Sequence, residues 1–484
     1  METKKRGHAC CLPTLRVACL LGVVCMTTPA VSAGWSAADL DRLKQQFVSG
    51  IAGKYEVAEY PWAFFDLEGC FEPGHTCGGA NSESPYGYIQ FYQKRLPYAW
   101  MDDTDALVLI MEAPPPMRYF GVTPYIYTRC YESLPTNPGE AGKVQVFASL
   151  GDSVNLTNIA TTGSATRGEN VFGQLAAFVV TADRLSQTQI TNQFLSLGFP
   201  DHAINQIVLP INAVPLKMGT TLNSDTFSLL LRLAYPYEPA QMREYTDRAP
   251  IRALLLSPVQ ARPGYAMRRQ TPKVPGSGAE PCELEAARDD LFQELHERYK
   301  DSYEPTESAV NLTQTYNYFC VWLGRPCRGD NPDAIYSEDL GRFVPKSRED
   351  KILIVGVNHV DLGKALYISH VITSQEHDAG VAGANDDRLR GTALRAAGIT
   401  DPHDPRYDIY SNLYALTISY DCTGELDCLT IPEPTSADKV GIEFGKELNI
   451  HARYYVDPAT GTRPDIDEVI PHRVLVLTKR PAAR

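Results

Sequence analysis

Asn358-His359-Val360-Asp361, with Lys364 close behind, places an imidazole, a carboxylate and an ammonium where the apolar run Lys351-Ile352-Leu353-Ile354-Val355 ends. If residues 360–363 form a tight hairpin loop, His359 faces Lys364 and Asp361 is at hand to orient the imidazole. Such a set can perform general acid–base chemistry, with His359 as base and the Lys364 ammonium steadying a developing oxyanion. The same residues also make an ordinary turn with a half-exposed histidine, and that reading stays open beside the catalytic one. The hairpin would pair residue 370 with residue 353, putting His370 roughly 20 Å from His359 at strand rise, too far for the two to share a metal ion.

A second group lies in the first half of the chain. Glu112 ends the apolar run Ala106–Met111, and Arg118 follows the triple proline 114–116. An ionisable group at the end of a buried run needs a partner, so the expectation is a Glu112–Arg118 ion pair, or an Arg118 that grips a substrate carboxylate. Tyr125 and Tyr127 alternate onto one face of the next strand, where they can stack on a sugar or aromatic ligand or pack the sheet. Asp330 and Asp333, in Asp330-Asn331-Pro332-Asp333, offer oxygen ligands for calcium, without the regular spacing of a known calcium loop.

Gly151-Asp152-Ser153 follows an apolar strand, and Gly383-Ala384-Asn385-Asp386 lies far downstream. In form these blocks resemble the nucleophile and oxyanion blocks of SGNH-type esterases. The resemblance implies an esterase with Ser153 as nucleophile, and it covers these short motifs alone. The chain departs from that pattern twice. The Asp-x-x-His base block is missing, Asp401-Pro402-His403 having the wrong spacing, and a linker separates two blocks that one α/β domain should hold.

The elements that must position these residues are mostly strands. Ser36 caps a short helix with the stripe Leu40, Leu43, Phe47. Alternating or continuous apolar runs then recur between turn residues up to Leu256, with one helix at 186–197. Residues 258–281 are rich in Pro, Gly and Arg and read as a linker. A helix over 283–299 opens the second half, and strands resume at 351–358, 364–373, 413–420, 449–456 and 472–478. The expected fold is α+β, mostly β: two β-rich lobes with peripheral helices, at 34–257 and 282–484, stabilised by disulfides. At a constant offset, Ala106–Ile110 aligns with Lys351–Val355, Phe120–Thr123 with Ala365–Ile368, and Thr128 with Thr373. That alignment reflects either an internal duplication or the chance likeness of apolar strands.

Of the 12 cysteines, Cys10, Cys11, Cys19 and Cys25 fall in residues 1–33, which read as a secretory leader. Lys4, Lys5 and Arg6 form its basic start, Val17–Met26 its apolar stretch, and Ala33 its cleavage position. Export makes disulfides the expectation: Cys70–Cys77, Cys320–Cys327 and Cys422–Cys428 as near neighbours, and Cys130–Cys282 by exclusion. A zinc site at Cys70, His75 and Cys77 is the alternative.

The formal net charge is −13 and the leader itself is basic, so the exported chain is more acidic still. Such a surface repels phosphate backbones, which excludes nucleic acid as a partner class. No apolar run reaches the roughly 20 residues of a membrane helix, so no stable membrane insertion is expected. The function this favours is a secreted or periplasmic hydrolase or lyase acting on a small organic or carbohydrate substrate between the lobes, with His359 as base. The alternatives are a non-catalytic extracellular ligand- or carbohydrate-binding protein and, third, the SGNH-like esterase. No cofactor beyond calcium is implied.

Overall fold

The computed structural model describes residues 34–75, 77–92, 95–131, 142–211, 215–314, 319–338 and 343–481. The expected leader and its cleavage position lie outside them. The first half runs α1 Ala37–Ile51, β1 Tyr55–Tyr60, β2 Trp62–Phe64, β3 Tyr86–Ile89, β4 Ala106–Glu112, β5 Met117–Cys130, β6 Lys143–Ser149, β7 Val154–Asn155, β8 Leu175–Thr181, α2 Arg184–Ser196, β9 Ile204–Val208, β10 Thr226–Pro236, α3 Pro239–Arg248 and β11 Ile251–Pro258. The second runs α4 Cys282–Tyr299, β12 Tyr303–Ser308, β13 Asn311–Gln314, α5 Phe319–Leu323, β14 Ala334–Glu338, β15 Lys351–Val357, β16 Tyr367–Ser374, β17 Ala379–Asn385, α6 Asp386–Leu389, α7 Thr392–Ala396, α8 Tyr407–Tyr410, β18 Leu413–Ser419, β19 Cys428–Thr430, β20 Leu448–Tyr455 and β21 Arg473–Lys479.

Each half is a pair of stacked sheets. The first has an outer sheet β1-β11-β4-β8-β9 and an inner sheet β2-β3-β10-β5-β6, with β7 added to β5. The second has an outer sheet β12-β21-β15-β18-β19 and an inner sheet β13-β14-β20-β16-β17. These are the same strand orders, and in both outer sheets only the last pair, β8–β9 or β18–β19, is parallel. β4 and β15 are buried along their whole length, because their sheets are covered on both faces. In the first half Leu107, Leu109 and Phe178 meet Phe120, Leu229 and Leu231 between the sheets, while Val108 and Val179 pack under α1 and α2. In the second, Ile352, Ile354 and Leu416 meet Ile368 and Ile450, and Leu353 and Val355 pack under α4. The two inner sheets meet face to face through Tyr119, Ala234, Tyr367 and Tyr455. The layer order is therefore helices, four sheets, helices.

Strand register fixes which residues correspond. Arg232 of β10 pairs with Tyr86 of β3 and Gly121 of β5, and Arg453 of β20 pairs with Tyr336 of β14 and Ser369 of β16. Tyr119 thus corresponds to Tyr367, rather than to Lys364 as the constant sequence offset requires. The backbone repeats as well: Tyr235 and its counterpart Val456 both take φ 48.

The loops between β2 and β3 and between β13 and β14 are arms that cross to the opposite half, each closed by a disulfide: Cys70–Cys77 and Cys320–Cys327. Their docking is reciprocal. Cys327 N and Gly329 N donate to Val146 O and Phe147 O at 2.6 and 2.8 Å, and Cys77 N and Gly79 N donate to His377 O and Asp378 O at 3.0 and 2.7 Å. Arg232 donates to Gly329 O, and Arg453 to Gly79 O at 2.9 Å. Phe147 and Asp378, the docking residues, share positive φ.

Cys422–Cys428 also forms. The expected Cys130–Cys282 bridge does not. Cys130 is buried at the end of β5 in an inner sheet, whereas Cys282 is exposed at the start of α4, on the outer layer of the other half. The disulfide at Cys70 and Cys77 likewise takes both sulfurs from the zinc alternative. Residues 258–281 run as a strap over both halves: Arg262 and Tyr265 N are held by Asp183 at 2.5 and 2.6 Å, Lys273 N by Asp152 at 2.7 Å, and Ser277 N by Glu468 at 2.8 Å. No helix among the described residues is long and apolar enough to cross a membrane.

Candidate functional site

The turn after β15 is as tight as its sequence suggests: Lys364 N and Ala365 N both donate to His359 O, at 2.8 and 3.1 Å. It is not a hairpin. β15 pairs with β18 and β21, β16 with β17 and β20, so the turn carries the chain from the outer to the inner sheet. The three residues expected to act together consequently part. His359 is buried, and its Nδ1 meets Glu280 Oε1 of the strap at 2.6 Å, so Glu280 and not Asp361 orients it. Asp361 accepts from Asn358 Nδ2 at 2.8 Å and from Arg390 Nη2 at 2.7 Å. Lys364 donates to Ser277 Oγ at 2.9 Å and to Gly278 O, fastening the strap.

Without the hairpin, the distance argument that kept His370 from His359 lapses. Both lie in one buried cluster of polar rings between the second pair of sheets. His359 stacks edge-on to Tyr454 at 4.6 Å between centroids, Tyr454 Oη bonds His472 Nδ1 at 2.6 Å, His472 packs on His370 at 4.8 Å, and His370 Nε2 bonds Tyr414 Oη at 2.7 Å. By register His370, Tyr414, Tyr454 and His472 correspond to Val122, Ala176, Leu233 and Ile251, all within the apolar core of the first half. Among the described residues no group of three or more His, Cys, Asp or Glu is placed to hold a metal ion.

The first-half candidates also find partners other than those expected. Glu112 is held by Arg248, at 2.6 and 3.0 Å, and by Trp35 N at 3.0 Å, not by Arg118. Tyr125 is buried and donates to Asp330 O at 2.7 Å, so it belongs to the contact between halves. Tyr127, past a register shift in β5, stacks on Tyr98 at 5.1 Å. Asp330 accepts from Ser149 N and Oγ at 2.7 and 3.0 Å. Asp333 accepts from Tyr119 Oη at 3.0 Å, and burial pushes its carboxyl up. Both acids of the calcium reading are thus engaged with protein donors across the halves. Ser153 is buried with Oγ 2.6 Å from Thr123 Oγ1. The second esterase-like block corresponds to residues 153–156 and so overlaps the first only at Ser153: Asn385 pairs with Ser369 as Asn155 pairs with Gly121 in the other half.

Arg118 leads to a group that sequence reasoning had not assembled. It opens β5 and crosses to α6, where its Nη2 lies 2.7 Å from Asp387 Oδ1 and 3.4 Å from Asp386 Oδ2. Arg390 Nη1 reaches Asp387 Oδ1 at 2.9 Å, and through Nη2 links it to Asp361. Asn385 sets the start of α6 by accepting from Asp387 N and Arg388 N at 3.1 and 3.2 Å. Asp387 and Arg390 are partly exposed, so the row Arg118–Asp387–Arg390–Asp361 lies along the seam between the halves. Asp386 beneath it is fully buried, and neither carboxylate oxygen has a hydrogen-bond partner among the described residues. Burial raises its carboxyl to about 6, against the pull of Arg118. Burial also opposes ionisation of Asp387, but its bonds to Arg118 and Arg390 outweigh that and hold it below the usual range.

The equivalent seam, where the halves exchange roles, supplies an internal comparison. Arg118 corresponds to Leu366 and Asp386 to Leu156, and both leucines pack against the aromatic cluster between the inner sheets. A frame that takes two leucines at one seam holds a buried Asp386 beside a partly exposed Arg118 at the other, where charge burial costs stability. The signal in the sequence is there in part: Asp386 stands in the esterase-like block, and Arg118 is a cation for which the sequence suggests Glu112 or a substrate carboxylate as partner.

No family model and no curated protein matches the chain. Solved structures similar to the chain include the following two. One is an uncharacterized protein from Burkholderia cenocepacia, 12% identical with TM-score 0.38 over 90% of this chain and 87% of that one. The other, from Vibrio parahaemolyticus, is 11% identical with TM-score 0.33 over 90% and 96%.

Proposed function

We propose that this chain is an exported hydrolase or lyase whose proton-transfer group is Asp386, in the seam with Arg118, Asp387 and Arg390. The observation that carries this reading is the replacement of the Leu156/Leu366 seam by Asp386 and Arg118 at corresponding positions. Neighbouring carboxylates whose proton affinities are pushed apart are the usual mark of acid–base assignment. Near neutral pH a carboxyl titrating at about 6 is ionised yet more basic than its neighbours. It can take a proton from an attacking water, or from a substrate carbon beside a leaving group, and return it to that group as its bond breaks, while Arg118 stabilises the negative charge that develops on the departing atom. A substrate that draws Arg118 outward uncovers the carboxylate. The three disulfides fit an oxidising compartment and so support export.

The test is depletion of compounds from a metabolite and oligosaccharide extract, followed by mass spectrometry. Asp386→Asn is expected to lower turnover by about 10²–10⁴-fold. The wild-type rate is expected to fall on the acid side with an apparent pKa near 6. An acid limb at the ordinary carboxylate range, or turnover intact in the variant, excludes Asp386. Depletion that stops at one equivalent favours the alternative of a binding protein.

A further inference from the structure

We infer that the seam takes an uncharged carbohydrate, with Tyr237 as the platform for a sugar ring and Arg118 and Asp387 as partners of its hydroxyls. This rests on the reading of the seam as an acid–base site and names its substrate class. Tyr237 follows β10, and its backbone N donates to Pro116 O at 3.1 Å, which fixes it beside the start of β5. Tyr237 is 52% exposed, with the Arg118 guanidinium over one side of its ring, 5.3 Å from the centroid. An anchored, half-exposed ring beside hydrogen-bonding groups offers an apolar face and polar edges together.

Charge decides between ligand classes. The seam sets Arg118 and Arg390 against Asp387, Asp361 and Asp386, interleaved rather than segregated. An anion entering there meets carboxylates as close as guanidiniums, and a cation meets the reverse. A polyhydroxylated neutral molecule can donate to the carboxylates and accept from the guanidiniums without an unbalanced charge. The C–H face of a sugar ring then covers Tyr237.

The experiment is calorimetric titration of the Asp386→Asn protein, so that ligand is bound and not consumed, with neutral cello-, malto-, xylo- and N-acetylchito-oligosaccharides. Oligogalacturonate and oligoglucosamine serve as charged comparators. Saturable binding of at least one neutral series is expected, weakened about tenfold by an added Tyr237→Ala and kept within about threefold by Tyr237→Trp. Little dependence on salt is expected. Binding of charged oligomers alone, no binding of any neutral series, or binding indifferent to Tyr237→Ala overturns the inference. The two readings fail separately: sugar binding without turnover in the wild type removes the acid–base role, whereas Asp386-dependent turnover of a non-sugar removes the sugar.

Discussion

At Asp386 two opposing effects set the chemistry: burial favours the neutral acid, and Arg118 favours the anion. Burial prevails and the group titrates at about 6 instead of 3.8. Because the folded pKa is the higher one, the folded state binds this proton more tightly. The group's contribution to stability is fully present below about pH 4 and is lost as pH rises through 6. At 1.36 kcal/mol per unit the loss is at most about 3 kcal/mol. Denaturant midpoints of wild type and Asp386→Asn should therefore diverge in the variant's favour from pH 4 to pH 7; a gap independent of pH contradicts the assignment. His359 belongs to a different category. Buried against Glu280 and Tyr454, it supports the strap and the second core. His359→Ala should cost about 2–4 kcal/mol while leaving turnover per folded molecule within a few-fold.

At the scale of elements, the reciprocal arms are held by short disulfides, each closing a loop with a sequence separation of 7. Replacing Cys320 and Cys327 by Ser should cost about 2 kcal/mol and make the arm a preferred site of limited proteolysis; an unchanged digestion pattern contradicts the docking. These arms also show what the sequence disclosed and what it did not. Continuous apolar runs gave the buried strands β4 and β15, and Ser36 gave the cap of α1, since both depend on local pattern. The hairpin after β15 failed because a tight turn looks the same whether the next strand joins the same sheet or the one stacked on it. Glu112, Arg118 and Asp361 found distant partners, which local spacing does not encode. A clearer repeat signal was present at a different offset: Cys70, Cys77, Gly79, Asn81 and Tyr86 recur with identical spacing as Cys320, Cys327, Gly329, Asn331 and Tyr336. It lies in loops, away from the apolar strands on which the comparison was made.

Over the whole molecule, the two halves share arms, an aromatic interface and a strap pinned to both. Arg232 and Arg453, each bonded to the opposite arm, leave neither half with a complete set of buried hydrogen bonds on its own. Thermal unfolding should accordingly appear as one calorimetric transition, and two well-separated transitions would show independent halves. The same topology in both halves makes each a reference for the other. Where both are apolar, packing explains the residues; where one seam between them sets Arg118 against Asp386 and the equivalent seam has leucines, packing alone does not. The most direct measurement is the stability and turnover of a protein carrying Arg118→Leu with Asp386→Leu, the pair that the equivalent seam already has. The account predicts a fold more stable by about 1–3 kcal/mol and turnover reduced to background. A double variant that is equally active, or that is destabilised, contradicts it.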